Sequence, residues 1–136
     1  MRSKQDPIPS YDALDSEACD AGFFTWDIGE DVFYADGAVA SLFGLDPEAT
    51  ESGLGIATYL ERVHPDDRPG LAKAIRNTIV EHRPQQEVYR VLNALEEYVS
   101  VLSFGRCFRN AAGEPCRYVG IIVPNPEPDV QIRACH

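Results

Sequence analysis

The stretch 61–71, ERVHPDDRPGL, holds the residues whose types and spacing come closest to a chemical site. A histidine followed at short distance by Asp66 and Asp67 suits a metal site or an acid/base pair. The same stretch suits a helix start, because an aspartate ahead of the first turn accepts a backbone N–H and Pro69 removes no intrahelical bond there. A metal ligand or general base needs further partners. We therefore predict a structural role for His64 and helix capping for Asp66 and Asp67, and no metal site.

The second group with chemical potential is the set of four cysteines: Cys19, Cys107, Cys116 and Cys135. None of them forms a Cys-x-x-Cys motif, which argues against a zinc knuckle or a redox site of that kind. If the hairpin around residues 110–113 closes symmetrically, Cys107 and Cys116 lie directly opposite one another on adjacent strands. They then either form a reversible, oxidation-sensing disulfide or remain two reduced strand residues.

The composition limits the class of protein that must position these residues. A chain of 136 residues with 44% hydrophobic content is long enough for one globular domain. Its net charge of −10 repels nucleic acid and anionic membrane surfaces, so neither is expected as a partner. The chain shows no apolar run of about 20 residues and no secretory signal, which predicts a cytoplasmic protein.

The apolar periodicity predicts the order of elements. Two strands, FFTWDI and VFYA, are followed by short helices that start after Asp36, Asp46 and Gly55. Gly44 is predicted to end the first of these helices in a left-handed conformation, and a longer helix follows and ends before Pro84. Three strand-like runs follow, QEVYRVLNAL, EYVSVLSFGRCFR and CRYVGIIV. Strands at both ends with helices between them predict an α+β domain, with an antiparallel sheet and helices packed on one face.

The two ends of the chain differ from the middle. Residues 1–21 combine a tail with a short helix, in which Tyr11, Leu14 and Ala18 form a thin apolar stripe that Ser10 caps. Residues 124–136 form a proline-rich tail. The predicted domain therefore spans residues 22–123.

Five local stretches, in this order, make the domain similar to the PAS sensory domain, in particular to a subgroup with a His-Pro-Asp-Asp motif. They are GFFTWDI at 22–28, LFG at 42–44, VHPDDR at 63–68, YR at 89–90, and GEP at 113–115 leading to VGI at 119–121. The resemblance implies a five-stranded sheet in the order 2-1-5-4-3 and a cavity between sheet and helices. It also implies a small ligand or cofactor in that cavity, and a homodimer formed through the exposed side of the sheet or an N-terminal helix.

Two stretches depart from the family pattern. Leu95-Glu96-Glu97-Tyr98 replaces the usual Asp-Gly turn before the fourth strand, so that hairpin is expected to be longer or differently bent. Val123-Pro124-Asn125-Pro126 replaces the usual passage into a helical linker, because proline continues neither strand nor helix. This second departure leads us to expect a stand-alone module that signals through a partner or through self-association.

The cofactor is not identified by the sequence. No cysteine lies between Cys19 and Cys107, which disfavours the thiol-linked flavin or chromophore found in some relatives. Haem is not expected, because only His64 and His82 are available and both suit positions at helix ends. The aromatic and aliphatic candidates for the cavity walls, each of them equally suited to a filled core, are Trp26, Tyr34, Phe43, Tyr59, Ile75, Tyr89, Phe104 and Ile122. Strand parity leaves open whether Tyr98/Ser100/Leu102/Phe104 or Val99/Val101/Ser103 face inward.

Three classes of function remain. The leading one is a sensory module that binds a small ligand or a signalling protein without catalysis. The second is a dimerisation scaffold with a filled core. The third is a small acid/base enzyme, which would need a histidine or an aspartate on the concave face of the sheet. Asp27, the only acid in the first strand, has the opposite parity from Trp26, and no nucleophile stands at a recognisable spacing from a base.

Overall fold

The computed structural model describes residues 21–126. The helix predicted for residues 10–21 lies outside the described residues except for Ala21, which is not helical. The tail beyond residue 126 also lies outside them. Five strands and four helices form in the described part: β1 (Gly22–Asp27), β2 (Val32–Ala35), α1 (Gly37–Phe43), α2 (Pro47–Ser52), α3 (Ile56–Leu60), α4 (Arg68–Glu81), β3 (Gln85–Leu92), β4 (Tyr98–Arg109) and β5 (Pro115–Pro124).

The strands form one antiparallel sheet in the order β2-β1-β5-β4-β3, as the family resemblance implied. β1 and β5 lie side by side in the middle, where Phe24 is opposite Gly120 and Trp26 is opposite Tyr118. The first and last strands of the domain therefore meet at its centre, and the helices between them are left on a single face.

Alternation along the strands separates an inner face, covered by helices, from an outer face. On β4, Val101 and Ser103 are buried, whereas Tyr98 and Phe108 are exposed. The sequence left open which alternate residues of β4 face inward, and the structure shows that they are Val99, Val101 and Ser103. The inner face and the helices together form the core, with Phe24, Phe33, Val39, Phe43, Tyr59, Val63, Leu71, Tyr89, Val91, Val101, Tyr118 and Ile122 among its buried residues.

The caps of α1 confirm the sequence prediction. Asp36 Oδ1 accepts a hydrogen bond from the backbone N–H of Val39, and Oδ2 accepts one from the N–H of Phe23 on β1. The helix ends at Gly44, whose φ of 63° belongs to the left-handed region. Asp46 occupies the corresponding position before α2, but its side chain makes no capping bond.

Arg62 joins the end of α1 to the end of β3. Its Nε donates to the carbonyl oxygen of Phe43 at 2.8 Å, and its Nη2 donates to the carbonyl oxygens of Leu92 and Asn93. These bonds satisfy carbonyl groups that a helix end and a strand end leave free.

Candidate functional site

Asp67 does not cap α4 in the way that the sequence predicted. It occupies the position before the helix, but no helix N–H donates to its side chain, and its φ and ψ of −95° and −13° are helical rather than extended. Instead, Asp67 Oδ2 accepts from both Nε and the backbone N–H of Arg90 at 2.9 Å, and Oδ1 accepts from Nη2 at 2.8 Å. The capping prediction was therefore wrong for this residue, whose carboxylate binds β3 instead.

The ion pair keeps Asp67 charged. The side-chain hydrogen bonds from Arg90 are the largest cause that lowers the pKa of the Asp67 carboxyl below its usual value, against a smaller opposing effect of burial. Arg90 makes two parallel bonds to the two oxygens, the geometry that favours arginine over lysine. The Asp67–Arg90 pair thus ties the start of α4 to β3.

His64 makes local contacts beside this pair. Its Nδ1 accepts from the backbone N–H of Asp66 at 3.1 Å, its own N–H donates to the carbonyl of Arg90, and its ring lies 4.7 Å from that of Tyr98. The Asp66 carboxylate accepts no hydrogen bond from residues 21–126. Within the same residues, no group of three or more His, Cys, Asp and Glu side chains is placed to hold a metal ion.

A cavity of about 40 Å³ lies between the helices and the inner face of the sheet. Its walls include Trp26, Phe43, Tyr59, Ile75, Tyr89 and Ile122 from the candidates given by the sequence. Tyr34 and Phe104 are not among the walls, because strand parity turns both of them to the outer face. The remaining walls are Phe24, Phe33, Ile56, Leu60, Val63, Leu71, Gln85, Ser103 and Tyr118.

One part of the wall is a buried polar network that the sequence analysis missed. Gln85 Nε2 donates to Ser103 Oγ at 2.8 Å, and the Tyr118 hydroxyl donates to Gln85 Oε1. All three side chains are buried. Alternation in the sequence could not have identified this network, because it left open which residues of β4 face inward.

The wall of this cavity is uncharged. Among the residues that the structure describes, no Asp, Glu, Lys, Arg or His lines it. Burial raises the pKa of the Tyr59 and Tyr118 hydroxyls to about 12. Burial also raises the pKa of Tyr89. A charged ligand would therefore enter without a counter-charge, at a high desolvation cost.

The volume of the cavity also limits the size of the molecule that it can hold. Since one water needs roughly 10–15 Å³ by this measure of volume, the cavity holds about three water-sized groups. Flavin and haem are far larger, so neither fits unless the core opens.

The two described cysteines are not directly opposite one another, so the symmetric hairpin predicted by the sequence was wrong. Cys107 pairs with Tyr118, and the register shifts between Phe108 and Arg109. The shift is a β-bulge, which gives β5 one more residue than β4 beside the turn. Cys116 is that extra residue, and neither cysteine is in a disulfide.

None of the curated proteins matches this chain in sequence. Among the helices within residues 21–126, none is both long and apolar enough to cross a bilayer.

Solved structures show the same fold. A sensory box histidine kinase/response regulator from Burkholderia thailandensis E264 has a TM-score of 0.71 and 24% identity, covering 92% of this chain and 91% of the other. A domain of a putative light and redox sensing histidine kinase from Haloarcula marismortui has a TM-score of 0.70 and 20% identity, covering 85% and 97%. The Cycle PAS-B domain of Drosophila melanogaster with bound ethylene glycol has a TM-score of 0.60 and 21% identity, covering 75% and 98%.

The sequence comparison agrees with the structural one. Residues 32–122, more than half of the chain, match the family model described as the PAS fold. They include the His-Pro-Asp-Asp stretch, the Asp67–Arg90 pair and most of the cavity wall. The chain therefore belongs to the PAS fold family.

Proposed function

We propose that this protein is a sensory and signal-transduction module that binds a small neutral molecule in its inner cavity and performs no catalysis. Its PAS fold and its structural similarity to domains of two histidine kinases support a sensory role. The observation that indicates a small neutral ligand is the uncharged cavity of about 40 Å³, with the Gln85–Ser103–Tyr118 network in its wall.

The chemistry of the wall selects the ligand. A ligand of roughly three or four heavy atoms in total matches the cavity, with its apolar part against the aromatic and aliphatic walls and one hydroxyl or carbonyl group hydrogen-bonded to Gln85 or Ser103. The Cycle PAS-B domain, a structural relative, was solved with ethylene glycol, a small neutral molecule that carries hydroxyl groups.

Trp26 connects the cavity to the surface of the domain. Its ring lines the cavity, and its Nε1 donates to Asp31 Oδ1 at 2.9 Å. The same oxygen accepts the backbone N–H of Ile56 at the start of α3 at 3.1 Å. A ligand that displaces the Trp26 ring therefore moves the β1–β2 turn and the first turn of α3 together.

The test uses three molecules of equal length: propan-1-ol, propionate and propylammonium. Trp26 is the only tryptophan of the chain, so its fluorescence reports on the cavity wall. We expect a saturable change with propan-1-ol alone. Ser103→Val fills the site with methyl groups and should abolish the change, whereas Thr25→Val on the outer face should retain it. No saturable response to any of the three, or an equal response to all of them, contradicts the proposal.

The outer face of the sheet supports a second proposal, that the protein is a homodimer. This face exposes apolar side chains that a monomer would leave in water, with 63% of Phe23 accessible to solvent. Phe108, Val119 and Tyr34 are also exposed there.

The occupant that we propose for the outer face is the N-terminal segment of a second copy. Residues 10–20 place four acids around an apolar stripe and contain no lysine or arginine. The outer face combines its apolar side chains with Arg106 and with Arg117, which lies 4.0 Å from Asp27 on the same face. Arg106 complements the negative charge of the segment. The segment leads directly into β1, which begins at Gly22.

Sedimentation equilibrium tests the dimer. We expect the full chain to sediment as a dimer, and deletion of residues 1–20 or Val119→Glu to give monomers. Lys73→Glu adds the same acid on α4, away from the sheet, and should leave the dimer intact. A full chain that remains monomeric at all concentrations overturns this proposal.

A further inference from the structure

The β-bulge at the end of the β4–β5 hairpin brings two thiols to one carbonyl group. Cys107 Sγ lies 3.8 Å and Cys116 Sγ lies 3.4 Å from the backbone oxygen of Phe108. Both thiols are only partly buried. Cys107 belongs to the inward-facing set of β4, and Cys116 is two residues before the inward-facing Tyr118 on β5. Both sulphurs therefore lie beside the same backbone oxygen.

We infer that Cys107 and Cys116 form an oxidation site in which a peroxide converts the two thiols into an intrachain disulfide. The register alone would leave the two residues diagonal to one another, about 7–8 Å apart, which a disulfide spans only if the backbone moves. The bulge changes this, because it adds a residue to β5 and interrupts the ladder at Cys116. The small backbone movement that closes the bond thus falls where the ladder is already interrupted.

The chemistry balances with peroxide as the only oxidant. One thiolate attacks a peroxide oxygen, the O–O bond breaks, and a sulfenic acid and one water or alcohol are formed. The second thiol then attacks the sulfenic sulphur, the S–S bond forms, and hydroxide leaves with the thiol proton as water. Two thiols are oxidised and one peroxide is reduced. A dithiol reductant reverses the change.

The environment assigns different roles to the two thiols. Burial raises the pKa of the Cys107 thiol, Arg109 opposes this effect, and the neighbouring Cys116 adds to it. Cys107 also packs against the hydrophobic core. Cys116 therefore serves as the thiol that meets peroxide, and Cys107 serves as the thiol that resolves the sulfenic acid.

The disulfide would join β4 to β5, and both strands contribute side chains to the cavity wall. Cys107 is opposite Tyr118, whose hydroxyl donates to Gln85, and the carbonyl of Cys116 accepts from the N–H of Ile28 at the end of β1. Closing the disulfide would therefore hold the bulge in one conformation between the Tyr118 and Ile28 contacts.

Peptide mapping tests the inference directly. Trypsin cleaves after Arg106, Arg109 and Arg117, so Cys107 and Cys116 fall in separate peptides, 107–109 and 110–117. We treat the folded chain with hydrogen peroxide, block the remaining thiols, digest without reductant and measure peptide masses. The expected result is a linked 107–109/110–117 peptide that disappears on reduction. The yield should be unchanged in the variant Cys19→Ser/Cys135→Ser, which removes the other two thiols.

A matched control separates the fold from mere closeness in sequence. The variant Arg106→Cys/Cys107→Ser moves the thiol by one residue to the outer face of β4, where Arg106 is opposite Val119. Its yield of disulfide with Cys116 should fall at least tenfold.

Two results would overturn the inference. One is that both thiols remain open to alkylation after peroxide treatment of the folded wild-type chain. The other is equal yields in the wild type and the matched control, which would mean that the bulge has no part in the pairing.

Discussion

Replacing Asp67 by asparagine separates the two roles that this residue can have at the start of α4. If Asp67 acts as a helix cap, asparagine serves nearly as well, because the two residues rank equally at that position. If it binds Arg90, asparagine loses a charge and one of the two oxygens that the guanidinium meets. The structure predicts the second result.

The magnitude follows from three hydrogen bonds and their exposure. Asp67 accepts two side-chain bonds and one backbone bond from Arg90. Bonds to charged groups contribute about 1.5–3 kcal/mol when shielded from water. The side chains of Arg90 and Asp67 are 40% and 21% exposed, so solvent screening reduces this contribution. We expect Asp67→Asn to lower the free energy of unfolding by about 2 kcal/mol, or the melting temperature by roughly 10 °C.

The pH dependence supplies an independent check. Because Arg90 lowers the folded pKa of Asp67 below its ordinary value of 3.8, the contribution of Asp67 is fully present above pH 3.8. It is lost as the pH falls through the lower, folded value. The stability difference between wild type and Asp67→Asn should therefore be constant near neutrality and shrink below pH 3.8.

Urea unfolding followed by Trp26 fluorescence measures both quantities. Asp66→Asn is the matched control, since it makes the same change one residue earlier, where the carboxylate accepts no hydrogen bond within residues 21–126. It should change stability by less than about 0.5 kcal/mol. Equal stabilities of the two variants, or a difference that persists unchanged in acid, would refute the role assigned to the Asp67–Arg90 pair.

Three further predictions concern a buried tyrosine, the half-buried Glu87 and two glycines. Tyr118→Phe should lower the free energy of unfolding by about 1–3 kcal/mol in urea titrations, because it leaves buried Gln85 Oε1 without its donor, whereas Tyr34→Phe on the outer face should change it by less than about 0.5 kcal/mol. Burial raises the pKa of half-buried Glu87 above its ordinary value of 4.5, so the folded state binds its proton more tightly and loses stability as the pH rises through that range. Glu87→Gln should therefore be more stable than wild type at neutral pH, by less than about 1 kcal/mol after screening, and equal to it below pH 4.5; a gain that persists in acid contradicts this cause. Gly120→Ala should prevent folding, as judged by circular dichroism, because the added Cβ would lie 1.9 Å from the backbone oxygen of Phe104. Gly70→Ala is the control: its Cβ meets nothing within 4 Å, and it should stabilise α4 by up to about 1 kcal/mol.

Local signals in the sequence predicted local structure well. Asp36 and Gly44 bound α1 as expected, because a cap and a left-handed terminator act within one turn of the helix. Period-two alternation located all five strands, and the family resemblance supplied their order.

Features that depend on distant residues were not accessible in the same way. Asp67 and Arg90 are 23 residues apart, and nothing near Asp67 indicates that its partner lies on β3. The β-bulge that displaces Cys116 arises where the ladder meets the turn, and hairpin symmetry does not reveal it. Alternation alone does not distinguish the two faces of β4. Only the packing of the helices on one face shows that Phe104 faces outward.

We propose that a small neutral molecule binds inside the domain, beneath the helices. Intermolecular nuclear Overhauser effects between propan-1-ol and the protein test this location most directly. We expect contacts from the propyl chain to the methyl groups of Ile75 and Ile122 and to the ring of Tyr118, all in the cavity wall. Contacts confined to Val119, Ile121 and other side chains of the outer face would contradict it.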